Sequence, residues 1–166
     1  MNAKKNSREK GFTLMEALIV VTIVAIMAAV ALPQLGSYVK TYKYNDYAAK
    51  MEYLVKHSKI YAMERTRNVG VCVNSGAKTL SLYDLGTSRA AGACTGTAIS
   101  QQSMAISESY ITLAGTNPGV SFDPRGLAIQ NGYVCVAYNN GYTRLCISQT
   151  GVRKESGSGA CASCSS

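Results

Sequence analysis

Six cysteines, one histidine and a carboxylate set inside an apolar run are the residues of this 166-residue chain best placed to do chemistry. The cysteines are Cys72, Cys94, Cys135, Cys146, Cys161 and Cys164, and all of them follow the apolar run Phe12 to Leu32. An even set confined to one side of such a run predicts disulfides in an oxidising compartment. Cys135 and Cys146 lie symmetrically about Asn140-Gly141. A tight hairpin there places them across from each other and predicts a bridge. Cys72 with Cys94 is the second expected pair, by elimination. Cys161 and Cys164 form a C-x-x-C in a Ser/Gly-rich end, without the helix start and charges that activate a redox thiol, and predict a structural or local disulfide. A zinc site would need two more ligands, and the single histidine, His57, lies far off in sequence.

No enzyme pattern accompanies these residues. G-x-S-x-G, H-E-x-x-H and a phosphate-cradling glycine loop do not occur, and one histidine supplies few base arrangements. A non-enzyme is expected, with no cofactor and no metal. The formal charge is +8, of which the first eleven residues carry +3 through Lys4, Lys5, Arg8 and Lys10 against Glu9, leaving +5 beyond them. A mild positive balance permits acidic partners without specifying one.

These groups need elements to position them. Phe12 to Leu32 is long enough, at about 1.5 Å per helical residue, to cross one hydrocarbon layer of about 30 Å. The basic residues before it keep the N-terminus cytoplasmic and put the rest of the chain outside. Glu16 sits inside this run, where a carboxylate costs about 2.5–3.5 kcal/mol. It needs either a cationic partner or a position near enough to the interface to reach the headgroups. Pro33 lacks an N–H and predicts a kink or short melted stretch around 30–37. A renewed helix to about 67 has Tyr44, Tyr47, Met51, Leu54, Val55, Tyr61 and Ala62 on one face, and so packs against a globular domain.

Beyond Asn68 the period changes to that of strands. Strands are expected at 69–73, 79–83, 109–113, 120–123, 133–138 and 142–148, with a loop over 86–105 and a hairpin at Asn-Asn-Gly. The expected organisation is a leader at 1–11, a membrane helix at 12–33 and an amphipathic helix at 34–67. A β-rich head follows at 68–155 and a flexible tail at 156–166. The class is α+β, a long N-terminal helix packed on an antiparallel β-rich head.

The stretch K-G-F-T-L-M-E-A-L-I-V-V at 10–21 resembles the class III signal of type IV pilins and of the pseudopilins of type II secretion. The resemblance implies cleavage between Gly11 and Phe12 by a membrane prepilin peptidase, then N-methylation of Phe12. It places Glu16 fifth and Pro33 twenty-second from the new terminus, positions the family favours. It also implies that Glu16 pairs with the terminal amine of a neighbouring subunit during assembly. I-Y-A-M-E-R-T-R-N-V-G-V-C-V at 60–73 and S-F-D-P-R-G at 121–126 resemble the GspH/FimT branch, and with it the pilin fold. The cysteines of the tail, Cys161 and Cys164, are not part of that branch pattern.

The implied role is a minor pilin or pseudopilin in the bacterial inner membrane, acting in assembly, priming or capping, with its head in the periplasm or an extracellular filament. Its partners would be other subunits, the peptidase and the membrane. An alternative comes from the DNA-uptake members of the branch. T-G-V-R-K-E at 150–155 stands where they carry a Gly-Arg-rich motif, so Arg144, Arg153 and Lys154 are candidate phosphate contacts. Secreted cargo is a further candidate partner of the head. A membrane-anchored domain that never polymerises is the remaining reading.

Overall fold

The computed structural model describes residues 12–89 and 92–164, without the side chains of 31–33. The helix α1 covers Leu14–Arg65. Eight strands follow: β1 Asn68–Asn74, β2 Thr79–Gly86, β3 Thr97–Ala105, β4 Thr112–Gly115, β5 Gly119–Phe122, β6 Gly132–Tyr138, β7 Gly141–Ser148 and β8 Gly151–Ser158. They make two four-stranded sheets, ordered β3-β2-β1-β5 and β4-β6-β7-β8. Every strand pair is antiparallel. The chain divides into two compact units, Met1–Lys40 and Thr41–Ser166.

In the second unit the helix follows its sequence period. Ala48, Met51, Leu54, Val55, Ser58 and Ala62 are buried, with Tyr44, Tyr47 and Tyr61 half-buried beside them. The core they join takes Val69, Val71, Val73, Leu80 and Leu82 from the first sheet and Leu113, Val134, Val136, Leu145 and Ile147 from the second. Alternation along each strand makes this possible, because every second side chain faces one side of the sheet. The helix stops in the left-handed turn at Thr66 (φ 53°), where the Arg67 N–H reaches back to the Ala62 carbonyl at 3.1 Å. That is the six-residue closure that satisfies a helix C-terminus.

β1 is covered on both faces. Val69, Val71 and Val73 enter the core, while the opposite side carries Gly70 and Cys72. A Cβ at Gly70 would lie 2.2 Å from the Ala93 carbonyl oxygen, so only glycine lets that segment approach. The Cys72–Cys94 disulfide fixes the same segment one residue further on.

Three sequence expectations change. Residues 97–105 form an edge strand instead of loop; T-A-I-S-Q-Q-S-M-A buries only Met104, so no apolar alternation announces it. The first strand of the second sheet is 112–115, later than 109–113. Residues 34–37, part of the stretch expected to melt, are helical.

Candidate functional site

In the first unit, Thr13 caps the helix. Its Oγ1 accepts from the Glu16 N–H at 3.2 Å, satisfying one of the free donors of the first turn. Thr13-Leu14-Met15-Glu16 thus has the spacing of a capping box, a signal that could have been read from sequence. Glu16 is the acidic residue of the first turn. Around it Phe12, Leu14, Met15, Leu18, Ile19, Val20, Val21 and Ile23 are all exposed, Leu14 by 82%. An apolar helix bare on every side requires a non-aqueous surrounding or neighbouring apolar helices. Neither Leu14–Val30 nor Gln34–Arg65 is alone long and apolar enough to cross a membrane, but taken together they are, by length and composition. Gly11, on the expected cleavage bond, lies outside the described residues, as does the side chain of Pro33, the expected kink.

In the second unit the three candidate phosphate contacts are separated and paired. Arg144 lies across from Glu155 in the β7–β8 ladder and donates to its carboxylate, Nε at 2.7 Å and Nη2 at 2.6 Å. Arg153 Nη2 takes the other oxygen at 2.5 Å. Lys154 is one residue on, so it points to the opposite face of β8 and meets Glu52 of the helix at 2.8 Å. The Arg144 hydrogen bond leads in holding the Glu155 carboxyl below its usual range. Lys154, followed by Lys56, does the same for Glu52. Two cations sharing one carboxylate and a third on the other side of the strand make no phosphate-tracking groove, and the DNA reading gains no support.

The cysteine connectivity keeps the expected Cys72–Cys94 pair and departs from expectation in the other two. Cys72 is joined to Cys94, Cys135 to Cys161 and Cys146 to Cys164. The hairpin register explains why Cys135 and Cys146 do not bridge. The two turn residues are Asn139 and Asn140, both with positive φ (45° and 62°), and Gly141 already belongs to the ladder opposite Tyr138. Cys135 therefore faces Arg144 and Cys146 faces Tyr133, which leaves the two sulfurs diagonal to each other. Each bonds instead to one cysteine of the C-x-x-C, which rules out the local Cys161–Cys164 disulfide.

The tail expected to be flexible from 156 is thus tied down. Its first residues extend β8 to Ser158, and Arg144 Nη1 donates to the carbonyls of Ala162 and Ser163 at 3.0 and 3.1 Å. A cavity of about 580 Å³ lies beside it, walled by Asn131, Tyr133, Thr150, Arg153 and Ser163 among others. Among the described residues, no group of three His, Cys, Asp or Glu is placed to hold a metal.

Two carboxylate clusters were not foreseen. Asp123, only 1% exposed, receives the backbone N–H groups of Arg125 and Leu127 at 2.9 and 3.0 Å. It also takes the Arg125 guanidinium at 2.8 and 3.1 Å. Burial pushes its carboxyl up, but these donors together outweigh it and hold the group below its ordinary value. Glu108 binds Lys43 and, at 2.5 Å, the Tyr47 hydroxyl. The Lys43 hydrogen bond, then that of Tyr47, lowers its carboxyl to about 2. Both clusters join residues whose sequence neighbours gave no sign of them, although Asp123 lies within the S-F-D-P-R-G stretch.

Comparison with known proteins adds to this geometry. The prokaryotic N-terminal methylation motif matches residues 6–32. The family of type II transport protein GspH matches residues 50–151. Among solved structures, the chain is similar to the type IV minor pilin FimU of Pseudomonas aeruginosa, with 16% identity and a TM-score of 0.55. That alignment covers 71% of this chain and 92% of the other, and shows a common fold. The minor pseudopilin EpsH of the type 2 secretion system of Vibrio cholerae aligns at 10% identity with a TM-score of 0.47, covering 64% of this chain and 93% of its own. No curated protein matches.

Proposed function

The chain belongs to the family of type II transport protein GspH, and on that premise we propose that it is a minor pilin or pseudopilin subunit of a type IV pilus or type II secretion filament. One observation carries the reading. A methylation motif over 6–32 coincides with a bare apolar helix that holds a single carboxylate, and the GspH match follows in the same chain. The prepilin peptidase cuts between Gly11 and Phe12 and methylates Phe12. The segment from Phe12 anchors the subunit in the inner membrane until it is drawn into the filament. There the carboxylate of Glu16 meets the terminal amine of a neighbouring subunit, which removes the cost of about 2.5–3.5 kcal/mol of an unpaired charge among lipid tails. The head then serves assembly, priming or capping.

Two measurements test this. Intact mass of the protein from its native host is expected to correspond to a chain beginning at methylated Phe12. A chain retaining residues 1–11 refutes the processing step. Glu16→Ala is expected to leave membrane insertion intact while abolishing incorporation into filaments, read by crosslinking to other subunits. Unchanged incorporation refutes the role of the carboxylate.

A further inference from the structure

We propose that residues 159–164 form a thiol-releasable strap on the outer face of the second sheet, held by Cys135–Cys161 and Cys146–Cys164 and opened by a dithiol reductant. Val134, Val136, Leu145 and Ile147 fill the core, so Cys135, Arg144 and Cys146 between them face outward. Cys135 is nonetheless fully buried, and its disulfide partner is a strap residue. The strap itself adds nothing to the core, whose most C-terminal contributor is Val152. What holds it is two disulfides, the two hydrogen bonds from Arg144 and, at its root, the Gly159 N–H donating to the Asn140 carbonyl at 2.7 Å.

The spacing of the cysteines makes release asymmetric. Cys161 and Cys164 are half-buried, whereas Cys135 and Cys146 are buried, so a dissolved thiolate reaches the strap sulfurs first. Its attack on Cys161 Sγ breaks Cys135–Cys161, leaves a thiol on Cys135 and forms a mixed disulfide. The second thiol of the reductant displaces Cys161 and departs as a disulfide. The Cys161 thiolate then attacks Cys164 Sγ, so that Cys161–Cys164 forms and Cys146 leaves as a thiol. One dithiol is oxidised, its two protons end on Cys135 and Cys146, and the number of protein disulfides falls by one.

The strand register stops the reverse closure on the sheet. Cys135 opposes Arg144 and Cys146 opposes Tyr133, so the two new thiols stay diagonal and do not bridge each other. Arg144 keeps Glu155 when the strap carbonyls leave, so the exposed face remains charge-paired. Release also removes the Ser163 and Cys164 side of the 580 Å³ cavity and opens its half-buried Tyr133 wall. Cys72–Cys94 ties β1 to the segment before β3 and shares no cysteine with the strap.

The full chain in detergent tests this with a graded dithiothreitol series, alkylation and peptide mass spectrometry. The expected intermediate carries alkyl groups on Cys135 and Cys146, with Cys161–Cys164 and Cys72–Cys94 intact. Its amide exchange rises roughly tenfold or more over 159–164 and stays unchanged in β1 and β6. Opening of Cys72–Cys94 first, or exchange rising through both sheets together, overturns the strap. The double variant Cys135→Ser, Cys146→Ser supplies the released form without reductant. It is expected to fold with a mobile tail and a Cys161–Cys164 disulfide. Failure to fold, or a tail as protected as in the parent, overturns the proposal as well.

Discussion

Replacing Asp123 with alanine tests how the turn after β5 is held. Its Oδ1 accepts the N–H groups of Arg125 and Leu127, and its Oδ2 accepts the Arg125 guanidinium. Arg125, and Arg89 whose Nη1 lies 3.5 Å from the same Oδ2, have side chains 67% and 58% exposed, so both find water when the carboxylate goes. The two backbone donors are only partly accessible, and losing their acceptor costs about 1–2 kcal/mol each. Asp123→Ala should therefore destabilise the protein by about 3 kcal/mol. Asp123→Asn keeps an oxygen for the two N–H groups and loses the ion pairs, whose arginine ends are exposed although the carboxylate is buried, about 1 kcal/mol. Urea unfolding of the full chain in mild detergent, followed by near-ultraviolet circular dichroism of the tyrosines, measures both. Equal losses in the two variants would show that charge holds the turn, and refute the assignment to the backbone donors. A loss below about 1 kcal/mol for alanine would refute it too.

Other expectations concern the rest of the head. Glu108 has a folded-state carboxyl at about 2 against an ordinary 4.5, so its ion pair with Lys43 stabilises the fold above pH 4.5 and fades as pH falls toward 2. The stability difference between the parent and Glu108→Gln should shrink over that window in acid unfolding; a constant difference refutes the pairing. Gly70→Ala drives a Cβ into the Ala93 carbonyl and should cost about 2–3 kcal/mol by chemical denaturation, with β1 and β2 exchanging faster. Lys154→Ala removes a half-exposed pair with Glu52 and should change stability by less than about 1 kcal/mol in the same assay.

Much of the architecture is local and was therefore legible. The period of 3.6 over 44–62 gave the packed face of the helix, because burial on one stripe leaves a repeating trace in the chain. Strands β1, β2, β6 and β7 alternate with one face in the core and were read for the same reason. β3 and β8 were not, since an edge strand with small or charged residues carries no such alternation. Asp123 and Glu108 were missed because their partners come together through turns and through contacts 65 residues apart, as in Lys43 with Glu108.

The cysteines mark the boundary most sharply. Their number and placement beyond the apolar run fixed that disulfides would form, since composition and compartment set that outcome. Which sulfurs meet depended on the hairpin register. Turning at Asn139-Asn140 instead of one residue later shifts the facing partners of Cys135 and Cys146, and a strand register is settled by side chains entering the core and by turn geometry together. The chain alone therefore specified a membrane-type helix, a β-rich head and paired cysteines, each written in local pattern. The strap, its two staples and the separation of Arg153 from Lys154 arose only when strands from distant segments were laid side by side.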